Sequence, residues 1–180
     1  MAFPEDPRSG LKYHASKILA HRSTLDWASA QNHSFGIITL HPSFVFGRNM
    51  LQTSAEGLDG TNAMLWACLH APKNLVPLTA VDVRDVAAAH VAALHLPTSE
   101  EGDVEEFILS AGPKEHWTWE QVANFARSRY PALGVKLEGP FDAPPEVETQ
   151  RAERILGLKW RGMEDTVGDF LDQQVELRGV

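Results

Sequence analysis

The stretch YHASK at positions 13–17 lies inside a segment whose apolar residues recur at helical spacing, and its meaning decides how the rest of the chain is interpreted. Residues four apart share one face of a helix, so the Tyr13 phenol lies beside the Lys17 ammonium group. A fixed positive charge favours the ionised phenol, and such a pair can donate and accept a proton. The same pair also occurs by chance on solvated helical faces, so the neighbouring segments must decide.

Composition places the chain among globular proteins with a sizeable core. Of its 180 residues, 43% are hydrophobic and 22% are charged, and the formal net charge is −8. The basic residues form no run, so we expect neither nucleic acid nor a membrane surface as a partner. The one cysteine, Cys68, lies in an apolar run, which predicts a core residue and a reducing compartment.

The first residues have neither the basic start nor the apolar core of a secretory signal, and no apolar run approaches the ~18 residues of a membrane span. We therefore expect a cytoplasmic protein. The length predicts one domain, residues 1–180. The scattered histidines have no accompanying carboxylate cluster, so the sequence predicts no metal site.

Apolar periodicity predicts alternating helices and strands, and hence an α/β fold. An amphipathic helix is expected over residues 11–31. A strand covered on both faces is expected over 35–40, because this apolar run lacks alternation. Pro42 ends that strand at its carboxyl end, where ligands of α/β folds lie. A second buried strand is expected over 107–110.

The other segments are expected to be loops and helices. Residues 44–47 are interpreted as an apolar connector and residues 48–60 as a loop. Asp82 and Asp85 suit the first turn of an alanine-rich helix. The pattern predicts helices over 62–70, 81–96, 118–130, 148–156 and 163–174. Thr118 and Gln121 have the spacing of a capping box at the start of the third of these.

Three segments follow one another at plausible spacing: YHASK at 13–17, LHPSFVFG at 40–47 and VDVRDVA at 81–87. Together they resemble the extended short-chain dehydrogenase/reductase family, within the NAD-dependent epimerase/dehydratase superfamily. The third segment looks most like the dihydroflavonol-reductase and aldehyde/ketone-reductase branch. The resemblance covers nearly the whole chain and implies the C-terminal half of a Rossmann-like parallel sheet. It also implies a helical substrate lobe that contains residues 48–60 and 62–70.

The resemblance further implies roles for individual residues. Tyr13 would protonate a carbonyl oxygen while hydride leaves the nicotinamide ring. Lys17 would favour the ionised phenol and bind the nicotinamide ribose. Pro42 and Ser43 would line the nicotinamide end of a site for NADP or NAD, and the substrate would be a small carbonyl compound.

The chain also departs from the family pattern. It contains no Gly-x-x-Gly-x-x-Gly segment, which in the family precedes the helix that holds the pyrophosphate. Ser9 lies too close to Tyr13 to be the strand serine that the family places upstream. His21 stands where the family usually has Glu. We therefore expect a truncated or separately encoded C-terminal portion that binds NAD or NADP weakly on its own.

These departures leave three functions open. The first is the family's NAD(P)-dependent oxidoreductase activity on a carbonyl or secondary alcohol, possessed by a longer form or with a partner chain. The second is a non-catalytic interaction module or gene remnant. The third is a cofactor-independent isomerase that uses Tyr13 and Lys17. The strand at 35–40 would lack its upstream neighbour, so we expect a homo-oligomer or a partner chain that supplies strands.

Overall fold

The described chain combines helices with parallel strands, which confirms the α/β class predicted from the apolar patterns. The computed structural model describes residues 8–31, 33–97, 104–111 and 117–180. In chain order the elements are α1 (Arg8–Ala30), β1 (Ile37–Pro42), β2 (Phe44–Phe46), α2 (Gly60–His70), β3 (Ala80–Asp82), α3 (Val83–Ala93), β4 (Val104–Leu109), α4 (Trp119–Arg129), α5 (Gln150–Leu156) and α6 (Met163–Arg178). Within these ranges, no helix combines the length and hydropathy needed to cross a membrane.

The strands form two short parallel pairs. β1 lies beside β4 with Ile37 opposite Val104, and β2 lies beside β3 with Phe44 opposite Ala80. Among the described residues each pair stands alone, so one edge of β1 has no neighbouring strand. The residues of β1 are only partly buried, and the expectation of a strand covered on both faces is therefore wrong.

Two elements differ from the sequence prediction. Long-range pairing makes part of a predicted connector a strand, and capping shifts the start of one helix. The predicted connector over 44–47 contains strand β2, because the Phe44 N–H donates to the Thr79 carbonyl at 3.2 Å and β3 lies alongside. The helix expected from residue 81 begins at Val83. Its N-cap is Asp82, whose carboxylate accepts the Arg84 backbone N–H at 2.7 Å.

The larger core lies in a lobe built from α2, α4 and α6 against β2 and β3. Helix α4 begins with the predicted capping box, in which Thr118 and Gln121 bond each other's backbone. Cys68 is fully buried in this lobe, as predicted, and burial raises the pKa of its thiol. The fully buried large side chains of the lobe include Phe46, Leu65, Leu69, Trp119, Val122, Phe170 and Leu171. A smaller core between β3, β4, α3 and α5 contains Val81, Ala89, Phe107, Leu109 and Ala152, and Ile38 and Leu40 of β1 pack against it.

Helix α1 forms as predicted, but its apolar residues are not covered. Leu11, Ile18 and Leu19 stay 69%, 53% and 62% exposed, and Ala28 is its only described residue that is buried. Periodicity correctly predicts the helix, whereas burial of its apolar face requires a neighbour that the described residues do not provide. The consequence is a helix attached to the sheet through few side chains.

Candidate active site

Helix α1 brings Tyr13 and Lys17 together as their spacing predicts. The Lys17 ammonium nitrogen lies 5.3 Å from the centroid of the Tyr13 ring. The contact is therefore with the ring face, in the geometry of a cation–π interaction. The Tyr13 side chain is 60% exposed, so its phenol is accessible to a ligand.

One histidine connects this helical face to the sheet. His21 lies one turn after Lys17, on the same face of α1. Its ring is 4.8 Å from the ring of His41, and its Nε2 is 2.8 Å from the Glu106 carboxylate. Since His41 comes just before the end of β1, these contacts place the face that carries Lys17 beside the carboxyl end of that strand.

Pro42 is the last residue of β1 and Ser43 follows it, at the carboxyl end of the strand. The Ser43 backbone N–H donates to the Leu109 carbonyl at 2.9 Å, and its hydroxyl donates to the Ser110 hydroxyl at 3.1 Å. The Ser43 Oγ therefore has lone pairs free to accept, while Pro42 is exposed and has no N–H. In the described part of the chain, no hydrogen bond or ring contact joins these two residues to the Tyr13 and Lys17 pair.

A cleft of about 660 Å³ opens between the loop after β2, the start of α2 and the first turn of α3. Its size suits a small organic ligand. Met50 and Leu51 are strongly exposed at its edge, which makes the loop at 48–51 an accessible apolar surface. The lining is mainly apolar with a few charged groups: Val45, Phe46, Met50, Leu51, Val83, Ala87, Arg48, Asp59, Arg84 and Asp169.

A network of charged groups lies at one side of the cleft. Asp82 is fully buried, and it accepts hydrogen bonds from the Arg84 guanidinium at 2.7 and 2.9 Å and from the Thr166 hydroxyl at 2.7 Å. Burial opposes ionisation, but these bonds outweigh it and lower the pKa of Asp82. Arg84 also pairs with Asp169 at 2.7 Å, and its bonds to Asp82 are the main cause that raises its pKa. The network joins α3 to α6 and fixes one wall of the cleft.

Sequence reasoning assigned the loop at 48–60 to a substrate lobe but did not identify Arg84 or Asp169 as cleft residues. It also missed the contact between His21, His41 and Glu106, which come from three separate elements. Their spacing along the chain forms no motif. The only sequence signals were the histidine in place of a usual Glu and a histidine directly before Pro42.

Comparisons with known proteins bear on the family. No family model matches the sequence. Ketoreductase sphI of Aspergillus fumigatus is 34% identical over 175 residues, which cover 93% of this chain and 50% of that protein. Ketoreductase azaE of Aspergillus niger is 31% identical over 179 residues, with 91% and 51% covered. The chain thus spans about half the length of the curated relatives it matches.

A solved structure shows the same fold. The structure of Gre2 in complex with NADPH from Candida albicans superposes with a TM-score of 0.70 at 23% identity, covering 96% of this chain and 53% of that one. Half-length coverage of both relatives and structure agrees with the predicted C-terminal portion. Together with the three ordered sequence segments, these matches confirm the resemblance to the extended short-chain dehydrogenase/reductase superfamily.

Proposed function

We propose that residues 1–180 act as one domain, the acid/base helix and substrate lobe of an NAD(P)-dependent reductase of a carbonyl compound. The observation that carries this proposal is the Tyr13 and Lys17 pair on an exposed face of α1, beside the carboxyl end of β1. The names of the two ketoreductase relatives support the reaction type. Because the chain spans half of them, the activity belongs to a complete assembly.

In this proposal Tyr13 donates the proton. Its exposed hydroxyl reaches the carbonyl oxygen of a bound substrate and donates to it as negative charge develops there. Lys17, whose ammonium group lies over the Tyr13 ring, would donate hydrogen bonds to ribose hydroxyls of the cofactor. In the reverse direction, the Tyr13 phenolate accepts the proton of a secondary alcohol.

The residues present fit one end of an NAD(P) cofactor. Lys17 supplies an exposed donor, Ser43 supplies an acceptor oxygen, and Pro42 presents a surface without an N–H. When bound, a reduced nicotinamide supplies the hydride. The 180 residues contain no Gly-x-x-Gly-x-x-Gly segment for the pyrophosphate.

We assign the carbon skeleton of the substrate to the cleft beside α3. The cleft is lined mainly by apolar side chains, and the loop at 48–51 belongs to the segment that the resemblance places in the substrate lobe. The charged groups of the lining are two arginines and two aspartates, Arg48, Arg84, Asp59 and Asp169, whose formal charges balance, so the cleft favours an uncharged, largely apolar carbonyl compound.

We further propose that the cofactor half of a reductase covers α1 and the open edge of β1. It is supplied by a longer polypeptide or a separate chain. The open edge offers unpaired backbone groups, and Leu11, Ile18 and Leu19 offer apolar surface. The isolated chain should therefore self-associate at micromolar concentration in sedimentation experiments. A stable compact monomer would contradict this, whereas a defined dimer would favour a second copy as the covering partner.

The activity is tested with a chimera. The part of the A. fumigatus ketoreductase that this chain does not span is joined to residues 1–180, and NADPH oxidation is followed with a panel of small ketones and aldehydes. We expect turnover that Tyr13→Phe lowers by about 10²–10⁴-fold, the usual value of general acid catalysis. The isolated chain should bind NADPH and NADH too weakly for a micromolar Kd by calorimetry.

The chain provides matched controls. Tyr130→Phe removes the other of its two tyrosine hydroxyls and should leave turnover near that of the parent chimera. Lys159→Met is the matched control for Lys17→Met. It removes another lysine ammonium group and should likewise leave turnover near that of the parent chimera. If the Tyr13→Phe chimera keeps more than half the turnover of the parent chimera, Tyr13 is not the proton donor. A chimera that binds NADPH and reduces none of the carbonyl compounds counts against the proposed reaction.

A further inference from the structure

Three potential metal ligands from three different elements converge where α1 meets the sheet. His21 comes from α1, His41 from β1 and Glu106 from β4. The Nε2 atoms of His21 and His41 lie 2.8 and 3.6 Å from the same Glu106 oxygen, Oε1. The potential ligand atoms of the three residues all lie within 4.8 Å of one another.

The two histidine–glutamate separations are close to the spacing of ligands in a metal coordination shell. Zinc–nitrogen and zinc–oxygen bonds are about 2.0–2.2 Å long, so two tetrahedral ligands lie roughly 3.4 Å apart. The two separations of 2.8 and 3.6 Å fall on either side of that value. The remaining separation, between the two imidazoles, is within 4.8 Å, so movement of the two rings towards each other brings the three ligand atoms around one ion.

The strands give the cluster a rigid base. Glu106 lies opposite Thr39 in the pairing of β1 with β4, and His41 is two residues further along β1. Side chains two apart on a strand share a face, so His41 and Glu106 project from the same side of the sheet. Only His21 reaches them from a helix, and this contact is one of the few that hold α1 on the sheet.

The cluster is also accessible. The side chains of His21, His41 and Glu106 are 30%, 38% and 44% exposed, so an ion can enter from solvent. Two imidazoles and one carboxylate leave a fourth position for water. Imidazole nitrogen favours zinc and similar transition metals, whereas calcium and magnesium favour oxygen ligands alone.

We propose that His21, His41 and Glu106 form a binding site for a divalent transition metal, with Zn²⁺ as the test ion, that clamps α1 onto β1 and β4. Metal binding draws the three ligands together and so fixes the helix that carries Tyr13 and Lys17. The site is independent of the proposed reductase function, because it requires neither cofactor nor substrate.

The test is metal binding by the 180-residue chain after treatment with a chelator. Titration calorimetry with Zn²⁺ should give one ion per chain at micromolar affinity. His41→Ala and Glu106→Gln should each weaken binding by at least about tenfold, since losing even a group that only orients a metal ligand costs about 10–100-fold. His95→Gln removes an exposed histidine elsewhere and should bind like the wild type.

Two further measurements locate the ion. Bound Co²⁺ should give a visible d–d spectrum that His41→Ala loses. Zn²⁺ should slow amide hydrogen exchange of α1 in the wild type and leave exchange in Glu106→Gln unchanged. Glu106→Gln keeps the shape and an oxygen acceptor for His21, so it carries the test if His41→Ala fails to fold. The absence of Zn²⁺ binding, or equal binding by the wild type and Glu106→Gln, overturns the proposal.

Discussion

Helices α1 and α6 are both long and both carry apolar residues at helical spacing, yet only α6 buries them. Val167, Phe170 and Leu171 of α6 are fully buried in the lobe, whereas Leu19 of α1 remains 62% exposed. The difference shows that periodicity determines which face of a helix is apolar, and a neighbour determines whether that face contributes to stability.

The comparison separates stability from the proposed chemistry. The lobe around α6 holds the larger core and the Asp82 network, so we expect substitutions there to lower the free energy of unfolding more than substitutions in α1. Helix α1 carries the proposed acid/base pair but has few contacts. The residues proposed to react therefore lie on the least supported element of the described structure.

The largest predicted effect is a difference in the free energy of unfolding when leucine is replaced by alanine in each helix. Leu171→Ala should lower the free energy of unfolding by about 2–5 kcal/mol, because it leaves a cavity in a filled core. Leu19→Ala should change it by less than about 0.5 kcal/mol, since the side chain is mostly in solvent. Urea unfolding followed by tryptophan fluorescence measures both. Equal losses would mean that α1 is packed as firmly as α6.

The second prediction concerns the charge that joins α3 to α6. Asp82→Asn keeps the N-cap and the acceptor for Thr166 but removes the partner charge of Arg84. We expect a loss of about 1–3 kcal/mol at pH 7, moderated because Arg84 is partly exposed and keeps Asp169. Asp142→Asn, in an exposed loop, is the control.

The pH dependence of this effect follows from the lowered pKa of Asp82. Its stabilisation is fully present above 3.8, the ordinary pKa of the group, and is lost as pH falls through the lower value of the folded state. The difference between the wild type and Asp82→Asn should therefore stay constant from neutral pH down to about 4 and shrink below it. Thermal unfolding across this range measures it, and a difference that grows in acid would contradict the assignment.

The third prediction concerns the Tyr130 hydroxyl, which links the C-terminal end of α4 to α6. Tyr130 donates to the Asp172 carboxylate at 2.8 Å, and Tyr130→Phe should cost about 1 kcal/mol. Burial and the bond to Asp172 raise the pKa of Tyr130 to about 12. The neutral phenol therefore stabilises the fold fully below about pH 10 and loses this effect as pH rises through about 12.

The ionisation itself is measurable by phenolate absorbance. Tyr13→Phe leaves Tyr130 as the only tyrosine, so a single absorbance step reports it. A midpoint near the ordinary value of 10 in the folded chain would show that the phenol is less buried than the structure indicates. Because the Tyr130 hydroxyl bonds Asp172 of α6, the midpoint of this absorbance step also reports whether α6 is packed against the phenol.

Local rules predicted local features. The caps at Asp82 and Thr118 and the pairing of Tyr13 with Lys17 depend on residues within one helical turn. Strand β2 was missed because its pairing depends on β3, far along the chain. The exposure of α1 was missed for a related reason, since apolar spacing does not reveal whether another segment is present.

The candidate site divides in the same way. The proposed roles of Tyr13, Lys17, Pro42 and Ser43 follow from short motifs and remain proposals. The cluster of His21, His41 and Glu106 was not predictable, because it forms only when a helix and two strands come together. Charged and imidazole groups at such junctions leave no trace in sequence spacing.

The burial of Cys68 makes the only thiol of the chain a reporter of lobe opening. A thiol that is shielded from solvent and favours its protonated form reacts with disulfide reagents only while the lobe is open. The rate of labelling therefore counts opening events. It also distinguishes two kinds of assembly. Chains that associate through α1 keep the Cys68 thiol unreactive, whereas disulfide-linked multimers show that the lobe has opened.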